Sequence, residues 1–198
     1  MLMKPATDTK SDTRKRILDI AEELLLTRGY NAFSYQHISS VLGVRNAAIH
    51  YHYPKKTDLG VALIQRYRRR FQRFIEAQLA LTPAEQLERY YTLTDAYFER
   101  DQQICPSGIL TTEYQTLPQE MQQEANAFVD EMRDWAVSIA ARGRADGSMR
   151  YAGTPEAMGL LMLAALQGGL QLARTDQAVI DALKIQIRAL LGLDASLP

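Results

Sequence analysis

The sequence predicts an all-α fold of about nine helices, in which a small N-terminal three-helix unit precedes a larger helical body. Three observations predict it. Apolar residues recur at i, i+3, i+4 and i+7 along most of the chain. Hydroxyl–proline pairs such as Thr82-Pro83 and Thr154-Pro155 supply helix starts, and Gly29, Gly43 and Gly147 supply stops. No two-residue turn separates alternating apolar runs, so no hairpin is expected.

Residues 1–10 are polar and read as a flexible tail. The first helix starts near Ser11 to Thr13, carries Ile17, Ala21, Leu24 and Leu25, and stops at Gly29. Ser34 opens a short second helix holding Ile38 and Leu42, which Gly43 ends. A third runs from Arg45 or Asn46 to Tyr53, where Pro54 stops it. The fourth begins between Lys56 and Asp58 and reaches about Leu79. The fifth, opened by Thr82-Pro83, reaches about Arg100, and a shorter segment spans Gly108 to Gln115. Pro118 opens a long helix to Asp146. Thr154-Pro155-Glu156 opens an apolar one to about Arg174. Thr175-Asp176 caps the last, with Val179, Ile180, Leu183 and Ile187. The domain reading is a tail at 1–10, a three-helix unit at 11–56 and a body at 57–198.

Charge divides the chain. Residues 1–75 carry 14 Lys+Arg against 6 Asp+Glu, and residues 76–198 carry 9 against 17, so the ends are +8 and −8. A basic front on an acidic body points to an anionic partner for the front. The single cysteine, Cys105, excludes an intrachain disulfide. No secretory apolar run and no uncharged apolar stretch of membrane-spanning length is found, so a cytoplasmic protein without a membrane partner is expected.

The second and third helices form a helix-turn-helix. Gly43 supplies the positive φ of the turn, and Ile38, Leu42, Val44 and Ile49 are expected to share a small core. The remaining face of the third helix is Asn46, Ala47, His50 and Tyr51. Small residues let the backbone approach a groove, and Asn, His and Tyr offer hydrogen bonds to bases or phosphates. Lys55 and Lys56 follow at a helix start, which also favours phosphate. Gly-linked short helices also occur in bundles that bind no DNA. The charge division favours the DNA reading.

The ordered run Thr13-Arg14, Ile17-Leu18, Ala21, Leu24-Leu25, Gly29-Tyr30, Phe33-Ser34, Ile38, Leu42-Gly43-Val44 and Ala48-Ile49-His50-Tyr51-His52-Tyr53-Pro54-Lys55-Lys56 resembles the N-terminal domain of TetR-type regulators. The resemblance covers about the first sixty residues. It implies a homodimeric repressor of a palindromic double-stranded DNA operator, released by a small-molecule effector. Arg45, Asn46, Ala47, Ala48 and His50 would face bases. Tyr51 would pack on the sugar-phosphate backbone, Lys55 would add positive charge at the DNA face, and Lys56 would bind phosphate. Tyr35 and Gln36 would touch the backbone or a flanking base. Arg45 stands where the family has a small hydroxyl residue, and Lys55 where it has a serine cap. The caps are then expected at Asn46 and Thr57.

Arg66, Arg69, Arg70 and Arg73 form one stripe of the fourth helix, read as a solvated face or as partners of the acidic body. His50 and His52 lie about 200° apart around a helix, so they cannot share one metal, and no metal or cofactor is expected. The stretch Ile104-Cys105-Pro106-Ser107-Gly108 with Glu113 to Pro118 resembles a subset of TetR-type regulators responsive to acrylate and N-ethylmaleimide. That resemblance implies an electrophilic or small-acid effector. Cys105, Tyr114, Met121, Trp135, Met162 and Gln167 are the effector candidates. A Cys105-based all-α enzyme is the rival from another class, but it lacks a base because every histidine lies at 37–52. A transcriptional activator is the other alternative. The last two helices carry Ala157, Gly159, Ala164, Ala165, Gly168 and Gly169, which permit close helix approach and favour a dimer interface there.

Overall fold

A computed structural model describes residues 10–99 and 105–193. Among them the helices are α1 (Lys10–Arg28), α2 (Tyr35–Leu42), α3 (Asn46–His52), α4 (Lys56–Glu76), α5 (Pro83–Phe98), α6 (Pro106–Thr112), α7 (Gln119–Ala145), α8 (Pro155–Ala173) and α9 (Ala178–Leu190), with a 3-10 turn at Tyr114–Thr116. No strand occurs among the described residues. The tail expected at 1–10 lies outside them except for Lys10, which opens α1, and so does Arg100, the expected end of α5.

The local chemistry explains the boundaries. At α5 the Thr82 hydroxyl accepts from the Glu85 N–H at 3.3 Å, and the Glu85 carboxylate accepts from the Thr82 N–H at 2.8 Å. This reciprocal cap satisfies two otherwise unpaired donors. Thr154 caps α8 through the Ala157 N–H at 3.2 Å. Two expectations shift. The last helix begins at Ala178 because the Thr175 hydroxyl donates to the Leu172 carbonyl, leaving Asp176 to cap the Ala178 N–H at 3.1 Å. The fourth helix ends at Glu76, not Leu79. Buried Gln86 donates to the Gln78 and Leu81 carbonyls at 2.8 and 2.9 Å, which folds the chain into the α4–α5 turn.

The helix α4 is the bridge. One side of it meets α1 and the other meets α7, while α8 lies between α7 and α9. At its start, Gly60 sits so close to Met121 of α7 and the ring of Tyr30 that a Cβ would overlap both. Further along, Tyr67 and Phe71 join Tyr90, Phe128 and Trp135 in an aromatic cluster, with Tyr90 and Trp135 4.9 Å apart between ring centroids. Arg68 holds Glu124 and Glu131 of α7 at 2.5 and 2.6 Å. Two ion pairs, Lys184–Asp95 and Arg188–Glu88, tie α9 to α5.

The small residues of α8 separate into two roles. Gly159 lies against the Val137 backbone, where a Cβ would come within 2.6 Å of its nitrogen, and Gly169 lies against Leu183 and Ile180. These two serve packing within the chain. Ala164 and Gly168 are exposed, alongside Leu161 and Leu172 on the same outer stripe. By length and composition α8 could cross a membrane, contrary to expectation. Its inner face, with Met158, Met162, Leu166 and Leu170, is buried as in a core helix.

Candidate nucleic-acid interface and body cavity

Gly43 closes α2 in the left-handed region at φ 68°, and the Val44 N–H reaches back to the Ser39 carbonyl at 3.1 Å. A Cβ at Gly43 would meet nothing within 4 Å, so the backbone angle alone calls for glycine. The turn sends α3 across α2, and Ile38 and Ile49 close the small core with no exposure. Val44, expected in that core, is instead 40% exposed, because the turn carries it out to the surface.

Polar side chains fix the register of α3. Buried Ser39 donates to the Asn46 side-chain oxygen Oδ1 at 2.5 Å, and the Asn46 side-chain amide nitrogen donates to the Gln36 side-chain oxygen at 3.1 Å. Asn46 is thus the first residue of α3 and a tie to α2, not its cap. Arg45 takes the cap position with extended backbone and an exposed side chain. At the next helix start Asp58, not Thr57, caps, accepting from the Lys55 N–H at 2.8 Å.

Two predicted DNA contacts, Tyr35 and Lys56, have partners inside the protein. Tyr35 is buried, and its hydroxyl donates to the Tyr53 carbonyl at 2.7 Å. It pins the end of α3 and has no face for DNA. Burial also holds that hydroxyl well above the ordinary tyrosine range. The Lys56 ammonium is turned inward, donating to the Tyr30 and Phe33 carbonyls at 2.6 and 2.5 Å and lying over both rings. Burial lowers its pKa, against the opposing pull of Glu113. Lys56 therefore braces the α1–α2 turn. Glu113, after α6, grips the same turn by accepting from the Tyr30 N–H at 2.6 Å.

Gln36, Arg45, Ala47, His50, Tyr51 and Lys55 stand exposed. Ala48 is half-buried. The His50 Nδ1 lies 3.1 Å from the Pro54 carbonyl, which can only accept, so Nδ1 carries hydrogen and Nε2 is left for an outside partner. Tyr51 is 67% exposed, with the Lys10 ammonium 4.9 Å above its ring. Beside this face an open groove of about 580 Å³ runs between α1 and α4. It carries Arg14, Lys15, Arg69 and Arg73 as well as Arg66 and Arg70. Arg66 pairs with Asp19 and Glu22, and Arg70 with Glu22, which ties both to α1.

The body holds a separate, apolar cavity of about 130 Å³ between α4, α5, α6 and α7. Tyr67, Phe71, Phe74, Tyr90 and Phe128 supply rings, and Cys105 and Thr94 supply small polar atoms. Cys105 is buried at the start of α6, with its sulfur 3.1 Å from the Ser107 hydroxyl. Gln167 of α8 donates to Ser107 and lines a smaller neighbouring cavity of about 60 Å³.

The other effector candidates divide. Trp135 and Met162 border a gap of about 10 Å³, too small for a ligand. Met121 is buried at the α4–α7 junction, beside Gly60 and Tyr30. Tyr114 accepts from Asn126 at 2.8 Å on the flank of α7, outside both cavities. The aromatic residues of α4 and α5 were missed as lining. Their spacing on an apolar face is the same for plain core and for a cavity wall. No group of three or more potential metal ligands converges among the described residues.

The profile of bacterial regulatory proteins of the tetR family matches residues 17–63. No curated protein matches the chain. The chain is similar to a TetR-family transcriptional regulator from Agrobacterium tumefaciens, with a TM-score of 0.88 and 30% identity over 92% of this chain and 100% of that one. A TetR regulator from Legionella pneumophila aligns with a TM-score of 0.80 at 24% identity, covering 94% of this chain and 99% of that one. Reduced NemR of E. coli shares the fold at a TM-score of 0.80 and 19% identity, covering 93% of this chain and all (100%) of that one. With its Gly43 turn, exposed α3 and all-α body, the chain belongs to the TetR family of DNA-binding transcriptional regulators.

Proposed function

We propose that this regulator is a homodimeric repressor that leaves a palindromic operator when a small molecule enters the body cavity. The observation that carries this reading is the position of α4. It begins directly after α3, and its own Tyr67, Phe71 and Phe74 wall the cavity. A ligand that displaces these rings acts on the helix that aims α3. Repression is relieved if the ligand binds the DNA-incompetent arrangement more tightly. The exposed stripe of Leu161, Ala164, Gly168 and Leu172 supports pairing of two chains through α8 and α9. Two recognition helices then enter successive major grooves.

In this reading Arg45, Ala47, His50 and exposed Val44 read base edges, the last through apolar contact with a thymine methyl. Tyr51, Lys55 and the groove cations Arg14 and Lys15 meet the backbone. Fluorescence anisotropy on fragments of its own promoter tests it. Binding should be sequence-selective and should weaken steeply with salt. Tyr51→Ala should weaken binding about tenfold at constant fold, the equivalent of roughly one hydrogen bond to a charged group. Equal affinity for scrambled DNA would sink the reading.

A further inference from the structure

We infer that the ligand of the Cys105 cavity is a small, uncharged, single-ring aromatic molecule carrying one hydrogen-bond donor. This rests on the proposal that the cavity is the effector site. Size comes first. Drug-sized ligands occupy pockets of roughly 300–1,000 Å³, whereas a dry cavity of about 150 Å³ holds benzene. At about 130 Å³ this cavity is at the single-ring limit.

Charge comes next. Three polar groups on the wall already have partners inside the protein. The Thr94 hydroxyl donates to the Tyr91 carbonyl at 2.6 Å, the Cys105 sulfur meets Ser107, and Arg70 pairs with Glu22. A carboxylate or ammonium placed there would lose its hydration without compensation. The rings of Tyr67, Phe71, Phe74, Tyr90 and Phe128 supply edges and faces that favour another ring over an aliphatic body of equal volume.

The donor follows from Gln167. Its amide nitrogen is engaged by Ser107, but its amide oxygen is buried with no hydrogen-bond partner. Gln167 lines the smaller cavity, and Met132 lines both that cavity and the larger one. Methionine is the side chain most able to change rotamer under a ligand. A turn of Met132 joins the two spaces, so a hydroxyl or amino substituent on the ring reaches the Gln167 oxygen.

The test uses the full chain without DNA and four probes: p-cresol, toluene, benzoate and cyclohexanol. Trp135, the only tryptophan, touches Phe71, Phe74 and Tyr90 of the cavity wall and reports binding by fluorescence. The rate of thiol labelling of Cys105, the only cysteine, reports occupancy independently of any substitution. We expect p-cresol to bind, to slow labelling, and to exceed toluene by about 3–10-fold, the worth of one hydrogen bond. Gln167→Leu should abolish that advantage while leaving toluene unchanged. Stronger binding by benzoate or cyclohexanol, or a p-cresol advantage that survives Gln167→Leu, overturns the inference. The two readings fail separately. If p-cresol binds and protects Cys105 without changing operator affinity, the effector role fails and the ligand class stands. If another class of molecule protects Cys105 and releases DNA, the ligand class fails and the effector role stands.

Discussion

At the scale of the residue, the decisive distinction is between side chains that hold the reading helix and side chains free to read. Tyr35 belongs to the first group. Tyr35→Phe should cost about 1–2 kcal/mol of stability through the orphaned Tyr53 carbonyl. Thermal melting should record the loss, while operator affinity of the folded protein stays unchanged. A drop in affinity without a drop in melting temperature would mean that Tyr35 touches DNA after all. Lys56 is the parallel case, since its ammonium serves the Tyr30 and Phe33 carbonyls. Both residues occupy positions where the family resemblance implies DNA contact. Sequence position fixes where a side chain starts, and nothing in it says which way a long polar side chain turns when carbonyls and rings lie within reach.

At the scale of the element, Gly43 sets the angle between α2 and α3. Gly43→Ala meets no steric obstacle, so its cost is confined to the left-handed backbone, about 1–2 kcal/mol. Chemical denaturation should show that loss with an unchanged slope. A neutral outcome would mean that the turn relaxes to another geometry. Helix existence and order were legible because capping pairs and apolar periodicity act locally. Thr82-Pro83 and Thr154-Pro155 open helices as read, and Gly43 stops one as read. The C-terminal end of α4 and the start of α9 were not legible, because distant or competing side chains decide them: Gln86 at one and Thr175 at the other. The cavity was half legible. Cys105 lines it and Gln167 lines the smaller cavity beside it, but the rings that wall it come from α4, α5 and α7, and only the crossing of those helices separates wall from core.

At the scale of the molecule, the outer stripe of α8 is the feature that asks for a second chain. Leu161→Glu with Leu172→Glu should convert a dimer to a monomer in sedimentation, with operator affinity falling at least about 100-fold as the second half-site contact is lost. Preserved dimer mass in that variant would move the interface elsewhere. Within one chain, the Glu113 grip on the Tyr30 N–H and the ion pairs of Arg68 hold reader and body to a common helix. In the proposed mechanism, a small displacement near Phe71 would travel along α4 through that arrangement.

The contact of Gly60 with Met121 and Tyr30 bears on how such regulators can be recombined. The reader and the body rest on one shared floor, so a graft cut after residue 56 would carry α1 to α3 away from the surface they stand on. Such a chimera should fold poorly unless the incoming reader also presents an aromatic ring, as Tyr30 does, to Gly60 and Met121. A graft limited to the exposed positions of α3 disturbs none of that floor. New operator preferences should therefore be reachable by exchanging a few surface side chains, while the proposed ligand response would be inherited whole.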